Sequence, residues 1–138
     1  IDMLRQRSRP YLFSNSIPPL VAAAGIAAFD KVTKTNDLQD KLHYNTEYFY
    51  KKMTEAGFDI KPTQSAICAV MLYDAKLSQD FASMLLDEGI YVTGFYFPVV
   101  PKGEARIRVQ LSAVHTQEHL DRAIAAFTKI GKKLKVIK

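Results

Sequence analysis

Residues 98–116 read Pro-Val-Val-Pro-Lys-Gly-Glu-Ala-Arg-Ile-Arg-Val-Gln-Leu-Ser-Ala-Val-His-Thr, and the middle of this stretch alternates strictly. Ala105, Ile107, Val109 and Leu111 fall on one face of a strand, with Arg106, Arg108 and Gln110 on the other. Pro98, Pro101 and Gly103 punctuate the approach, and the residues after Thr116 read as a helix. Two arginines therefore project from a strand whose opposite face is anchored in a core. A guanidinium held this way suits a carboxylate, which it grips with two parallel hydrogen bonds. It equally suits a surface ion pair, and the chemistry of the stretch leaves both readings open.

Working outward, the chain after residue 57 reads β, α, β, β, α. Ala66 to Tyr73 is a continuous apolar strand for the middle of a sheet. A short helix follows, with Ser78 as its cap, Phe81, Met84 and Leu85 inward, and Gly89-Ile90 as its stop. Tyr91–Phe97 leads as extended chain into the proline-rich corner. The closing helix, about 117–135, carries Leu120, Ile124, Phe127, Ile130 and Leu134 as its apolar stripe. Thr116 is a good cap for it, but His119 stands where a capping box has Glu or Gln, so the box reads as incomplete. The fold class is α+β: a small, largely antiparallel sheet with helices on one face.

Before residue 57 the chain reads as helices. Residues 1–8 form one, and Arg9-Pro10 breaks it into an extended loop. Ser14-Asn15-Ser16 precedes Ile17-Pro18-Pro19. Asn15 or Ser16 can cap the following helix, or the cluster can receive an anion at a helix start. That helix, about 18–33, is small or apolar on every side, which requires a covering partner that a first helix of this domain does not have. A further helix, about 37–56, keeps Leu38, Leu42, Phe49 and Met53 on one stripe and ends at Gly57.

At 138 residues, 48% hydrophobic and 24% charged, the chain has the composition of a soluble globular domain. It holds no apolar run near the ~20 residues that cross a bilayer, and no signal-peptide pattern. The formal charge of +5 comes largely from lysines at the end of the closing helix. They suit the negative end of its dipole better than a nucleic acid. No metal-ligand spacing is present. The single Cys68, inside the apolar strand, reads as a buried small hydrophobe.

The run Gly-Glu-Ala-Arg-Ile-Arg-Val-Gln-Leu-Ser-Ala-Val-His-Thr (103–116) resembles the C-terminal motif of the α-oxoamine synthases, pyridoxal-phosphate enzymes that condense an amino acid with an acyl-CoA. Leu-Arg-Gln-Arg-Ser-Arg-Pro-Tyr-Leu-Phe-Ser-Asn-Ser (4–16) and Tyr-Val-Thr-Gly-Phe-Tyr-Phe-Pro-Val-Val-Pro-Lys-Gly (91–103) resemble the branch that joins glycine to acetyl-CoA. The resemblance implies the C-terminal domain of a fold-type I transferase. Residues 1–34 would be the tail of the large cofactor domain and a linking helix, and 35–138 the small domain. It implies that Arg108 binds the substrate carboxylate beside a structural Arg106. Ser14 and Asn15 would reach the cofactor phosphate of a partner subunit in a homodimer. Tyr96 and the corner 98–101 would border the substrate or CoA channel. Ser112 and His115 fit the motif without an assigned role. No residue follows the pattern of the Schiff-base lysine, so the chain looks like a fragment, inactive alone, of a cytoplasmic or mitochondrial enzyme. The alternatives are a synthase of the 8-amino-7-oxononanoate, 5-aminolevulinate or palmitoyl-transferring type, and a non-catalytic module.

Overall fold

The computed structural model describes all 138 residues, which divide into two compact units, Ile1–Asn36 and Asp37–Lys138. The first unit is helical: α1 (Asp2–Arg7), α2 (Arg9–Phe13) and α3 (Pro19–Lys34). Pro10 lies in the first turn of α2 instead of opening an extended loop, because a proline is tolerated in a first turn whose N–H groups have no partner anyway. Only Ser8 between the two helices is extended. None of the three helices has a buried residue, and Leu20, Ile26 and Phe29 of α3 are exposed.

The second unit runs α4 (Asp37–Glu55), β1 (Ile60–Lys61), β2 (Ile67–Tyr73), α5 (Ala75–Asp87), β3 (Thr93–Phe95), β4 (Ala105–Gln110) and α6 (Gln117–Lys133). Its four strands form one antiparallel sheet in the order β1-β2-β4-β3. The helix α5 thus carries the chain from β2 across to β3, and β4 returns between them. This is the α+β class expected from the pattern. The strand at 91–97 is shorter than expected, since only Thr93–Phe95 pairs with β4.

The alternation in β4 sets the layers. Ile107 pairs with Val70 and Val109 with Cys68, and on this face the three helices supply Phe49, Met53, Phe81, Leu85, Phe127 and Ile130. The Phe127 ring sits at the centre, meeting Phe49, Phe58 and Phe81 at centroid distances of 6.2, 6.1 and 5.6 Å. Such packed aromatics contribute beyond their buried area by about 1 kcal/mol per pair. Helix α4 stops at Gly57, whose φ of 97° is open to glycine without strain.

Two caps differ from expectation. Asp74, not Ser78, caps α5, accepting from the Leu77 N–H at 2.7 Å, because the helix begins one turn earlier than its apolar residues suggest. Ser78 is instead buried, donating to the Ala75 carbonyl at 2.8 Å. The α6 capping box is complete: Thr116 Oγ1 accepts from the His119 N–H, and His119 Nδ1 accepts from the Thr116 N–H, both at 3.3 Å. A neutral imidazole nitrogen accepts a hydrogen bond as a carboxylate does.

Cys68 is fully buried, and burial pushes its thiol up to about 11. The thiolate is the reactive form, so the native protein is expected to resist iodoacetamide at pH 8 and to label readily in urea. Labelling at equal rates in both conditions would contradict this packing.

Candidate functional site

The side of the sheet away from the helices carries Arg106 and Arg108. Directly across from Arg108 lie Ala69 on β2 and Thr93 on β3; across from Arg106 lie Met71 and Phe95. The two arginines are in different situations. Arg106 is mostly buried, and its guanidinium pairs with Glu104 at 3.8 Å, a carboxylate that Lys61 also holds at 3.1 Å. Arg108 is exposed, and its ion-pairing capacity is not spent on any carboxylate of the chain. What it touches is the Phe95 ring, whose centroid is 5.7 Å from the guanidinium carbon. One arginine of the pair therefore performs the structural ion pairing that the sequence allowed for both. The other is free for a ligand. Small Ala69 beside it leaves open the space that a larger side chain would fill.

Arg108 also borders a cleft of about 550 Å³, between the segment 89–93, the end of β4 and the first turns of α6. His115, His119 and Arg122 border it too, over an apolar floor of Leu120 and Phe127.

The junction from β4 to α6 is tied down from α4. Asn45 is fully buried and its Nδ2 donates to the Ser112 carbonyl at 2.9 Å and to the His115 carbonyl at 3.0 Å. Within the junction, His115 Nδ1 accepts from the Ser112 N–H at 3.2 Å. Ser112 and His115 thus build the turn that fixes where β4 ends. Sequence reading passed over Asn45, although it fills the gap in the stripe Leu38, Leu42, Phe49, Met53; a polar residue at a core position is itself a signal. Replacing Asn45 by Ala removes both side-chain bonds, leaving the Ser112 carbonyl only the His115 N–H at 3.2 Å, and is expected to lower stability by roughly 2 kcal/mol. Chemical denaturation checks this, and a change below ~0.5 kcal/mol would show the junction to be held by other means.

In the first unit, Ser14 ends α2, its N–H bonded to the Pro10 carbonyl at 3.0 Å. Neither Asn15 nor Ser16 caps α3, contrary to the capping expectation; Pro18 stands at the N-cap, and no side chain bonds there. The segment 14–18 is non-helical and its residues are exposed, which leaves the side chains of Ser14 and Asn15 turned to neither cap nor core. Tyr96 and the corner 98–101 lie beyond β3, with Val100 buried, Tyr96 and Val99 exposed, and the Phe97–Pro98 peptide cis. Nowhere do three or more His, Cys, Asp or Glu side chains gather as metal ligands would, and no helix is long and apolar enough to cross a membrane.

The family model for aminotransferase class I and II matches residues 1–127. The chain is 53% identical over 99% of its length to 2-amino-3-ketobutyrate coenzyme A ligase of Escherichia coli K12. It is 48% identical over 96% to the mitochondrial enzyme of that name from Mus musculus. It is 46% identical over 97% to 8-amino-7-oxononanoate synthase of Petrotoga mobilis. The chain spans about a third of the length of these relatives, 34%, 32% and 34% respectively. Among solved structures, the serine palmitoyltransferase of Sphingomonas wittichii superposes with a TM-score of 0.92 at 29% identity, covering 99% of this chain and 35% of that one. This likeness supports the α+β domain read from the strand pattern.

Proposed function

The chain belongs to the aminotransferase class I and II family, and from that premise we propose that it forms the carboxyl-terminal portion of a pyridoxal-phosphate-dependent acyltransferase. The enzyme joins glycine to the acetyl group of acetyl-CoA, giving 2-amino-3-ketobutyrate and free CoA; in threonine breakdown it runs in reverse. The observation that carries this reading is the exposed guanidinium of Arg108, free of ion pairs on a strand whose other face is locked into the core. The 53% identity to a 2-amino-3-ketobutyrate coenzyme A ligase supports the choice of substrates.

The donor set fits the cofactor's chemistry. Pyridoxal phosphate needs hydroxyl and amide donors around its phosphate, and Ser14 and Asn15 offer them from an exposed segment uncommitted to any cap. The two residues serve the phosphate in the partner subunit of a homodimer. Exposed α3 is then covered by the rest of the enzyme. When bound, the cofactor supplies an electron sink for the pair left at the glycine α-carbon. The Schiff-base lysine belongs to the remaining two thirds of the enzyme, so residues 1–138 alone are inactive.

Arg108 binds both carboxylate oxygens of glycine and fixes the direction of its α-carbon, which is catalysis by orientation. The α-C–H bond of glycine breaks, a bond forms between that carbon and the acetyl carbonyl carbon, the thioester C–S bond breaks, and CoA leaves as a thiol, so that the proton lost at carbon is balanced by the one gained at sulfur.

The 46% identity to an 8-amino-7-oxononanoate synthase favours one second reading, in which the same carboxylate clamp serves a longer acyl donor. Release of CoA by the full-length enzyme, with glycine and acyl-CoAs of increasing chain length, decides between them. Acetyl-CoA is expected to be used best. Preference for a long acyl chain would replace the glycine acetyltransferase reading with the second.

A further inference from the structure

We infer that Phe95 is a positioning residue for the amino-acid carboxylate, acting through Arg108, on whose role as the clamp this inference rests. The free guanidinium would otherwise sweep a wide volume, because an exposed arginine has four rotatable bonds and no partner to restrain it. Phe95 restrains it. Its ring centroid lies 5.7 Å from the guanidinium carbon, within the range where the negative face of an aromatic ring attracts a cation.

The register explains how the two meet. Phe95 stands directly across from Arg106, and Thr93 directly across from Arg108. The ring therefore reaches Arg108 along the diagonal of the antiparallel pair, a distance that an aromatic side chain can span. Arg106 cannot compete for the ring as freely, since Glu104 holds its guanidinium at 3.8 Å. Phe95 is half-buried, and Gly94 before it lies against α5, so the ring sits on a segment with little freedom to shift. A ring on one side of the guanidinium leaves the N–H edge facing outward as a planar fork. That is the shape a carboxylate binds. Phe95 also cannot compete with the substrate, because it offers no anion of its own. A carboxylate in its place would close the clamp on itself.

The test compares Phe95→Leu, Phe95→Tyr and Arg108→Ala in the full-length enzyme. Leucine keeps the apolar bulk but removes the ring; tyrosine keeps the ring. Phe95→Leu is expected to raise KM for glycine about fivefold, the order supported by one cation–π contact at a partly exposed site. KM for acetyl-CoA and the melting temperature stay near wild type, and Phe95→Tyr restores the glycine KM. A second readout needs no turnover: protection of Arg108 from phenylglyoxal by glycine, followed by peptide mass spectrometry. Half-protection should require about fivefold more glycine in Phe95→Leu. If Arg108→Ala raises the glycine KM and Phe95→Leu does not, the positioning role is overturned while the clamp stands. If Phe95→Leu raises both KM values and lowers the melting temperature, the ring is merely structural and the inference fails. If Arg108→Ala leaves glycine binding intact, the clamp and the inference fall together.

Discussion

Replacing Arg108 by alanine in the full-length enzyme is expected to lower kcat/KM for glycine by about a thousandfold, and to leave KM for acetyl-CoA within about twofold. The magnitude follows from the interaction removed. A charge-assisted hydrogen bond contributes about 1.5–3 kcal/mol, and a bidentate guanidinium makes two, so the loss lies between about 3 and 6 kcal/mol. Solvent access at this exposed strand face moves the figure to the lower half of that range. The variant should also fold normally, since Arg108 carries no ion pair and lies on the face away from the core. Arg106→Ala serves as the contrast. It breaks the pair with Glu104 and leaves a mostly buried strand position empty, so it should cost stability more than it costs glycine binding. A lysine at 108 keeps the charge but loses the planar fork, and should recover only part of the lost activity.

Replacing Gly94 by alanine is expected to destabilise the second unit by roughly 3 kcal/mol, enough to unfold a marginal domain. Gly94 lies in β3 opposite Ile107, on the side that faces α5. A Cβ there would stand 2.8 Å from the Ser78 carbonyl oxygen and 3.1 Å from its carbon. Those are backbone atoms inside a helix, with Ser78 itself fully buried, so nothing flexible can move aside. Either α5 lifts from β3 or β3 leaves β4. The second outcome shifts Thr93 and Phe95, the residues beside Arg108, so surviving protein should also bind glycine less well. Gly131→Ala is a milder case. Its Cβ would meet the Phe58 ring at 2.6 Å, but the ring is a side chain and can turn at some cost to the aromatic cluster. The measurement is the denaturation midpoint of each variant; a Gly94→Ala protein as stable as wild type would contradict the close approach of α5 and β3.

How far the sequence revealed this site depends on the length of each signal. The strand 105–110 could be read because six residues alternate without interruption, and α6 because five apolar residues keep one stripe over four turns. The choice of Arg108 over Arg106 came from the family resemblance. The physical difference between them is the Glu104 carboxylate, two residues from Arg106 on the same face and paired with it, while Arg108 has none. Phe95 was out of reach for a related reason. A three-residue edge strand has too few residues to show its period, and a diagonal contact depends on register. Asp74 and Pro18 were missed as caps because helix starts are polar turns that apolar periodicity does not mark. His119 completes a box usually closed by an acid, a substitution whose meaning appears only with its ring nitrogen in place.

The clamp itself is tested most directly by a double cycle: kcat/KM of wild type and Arg108→Ala, each with glycine and with glycinamide, which lacks the carboxylate charge. Wild type should prefer glycine by two to three orders of magnitude, about the two-bond loss argued above, and Arg108→Ala should lose most of that preference while using glycinamide about as well as wild type does. An equal preference for glycine in both proteins would mean that another residue holds the carboxylate, and that Arg108 is not the centre of this site.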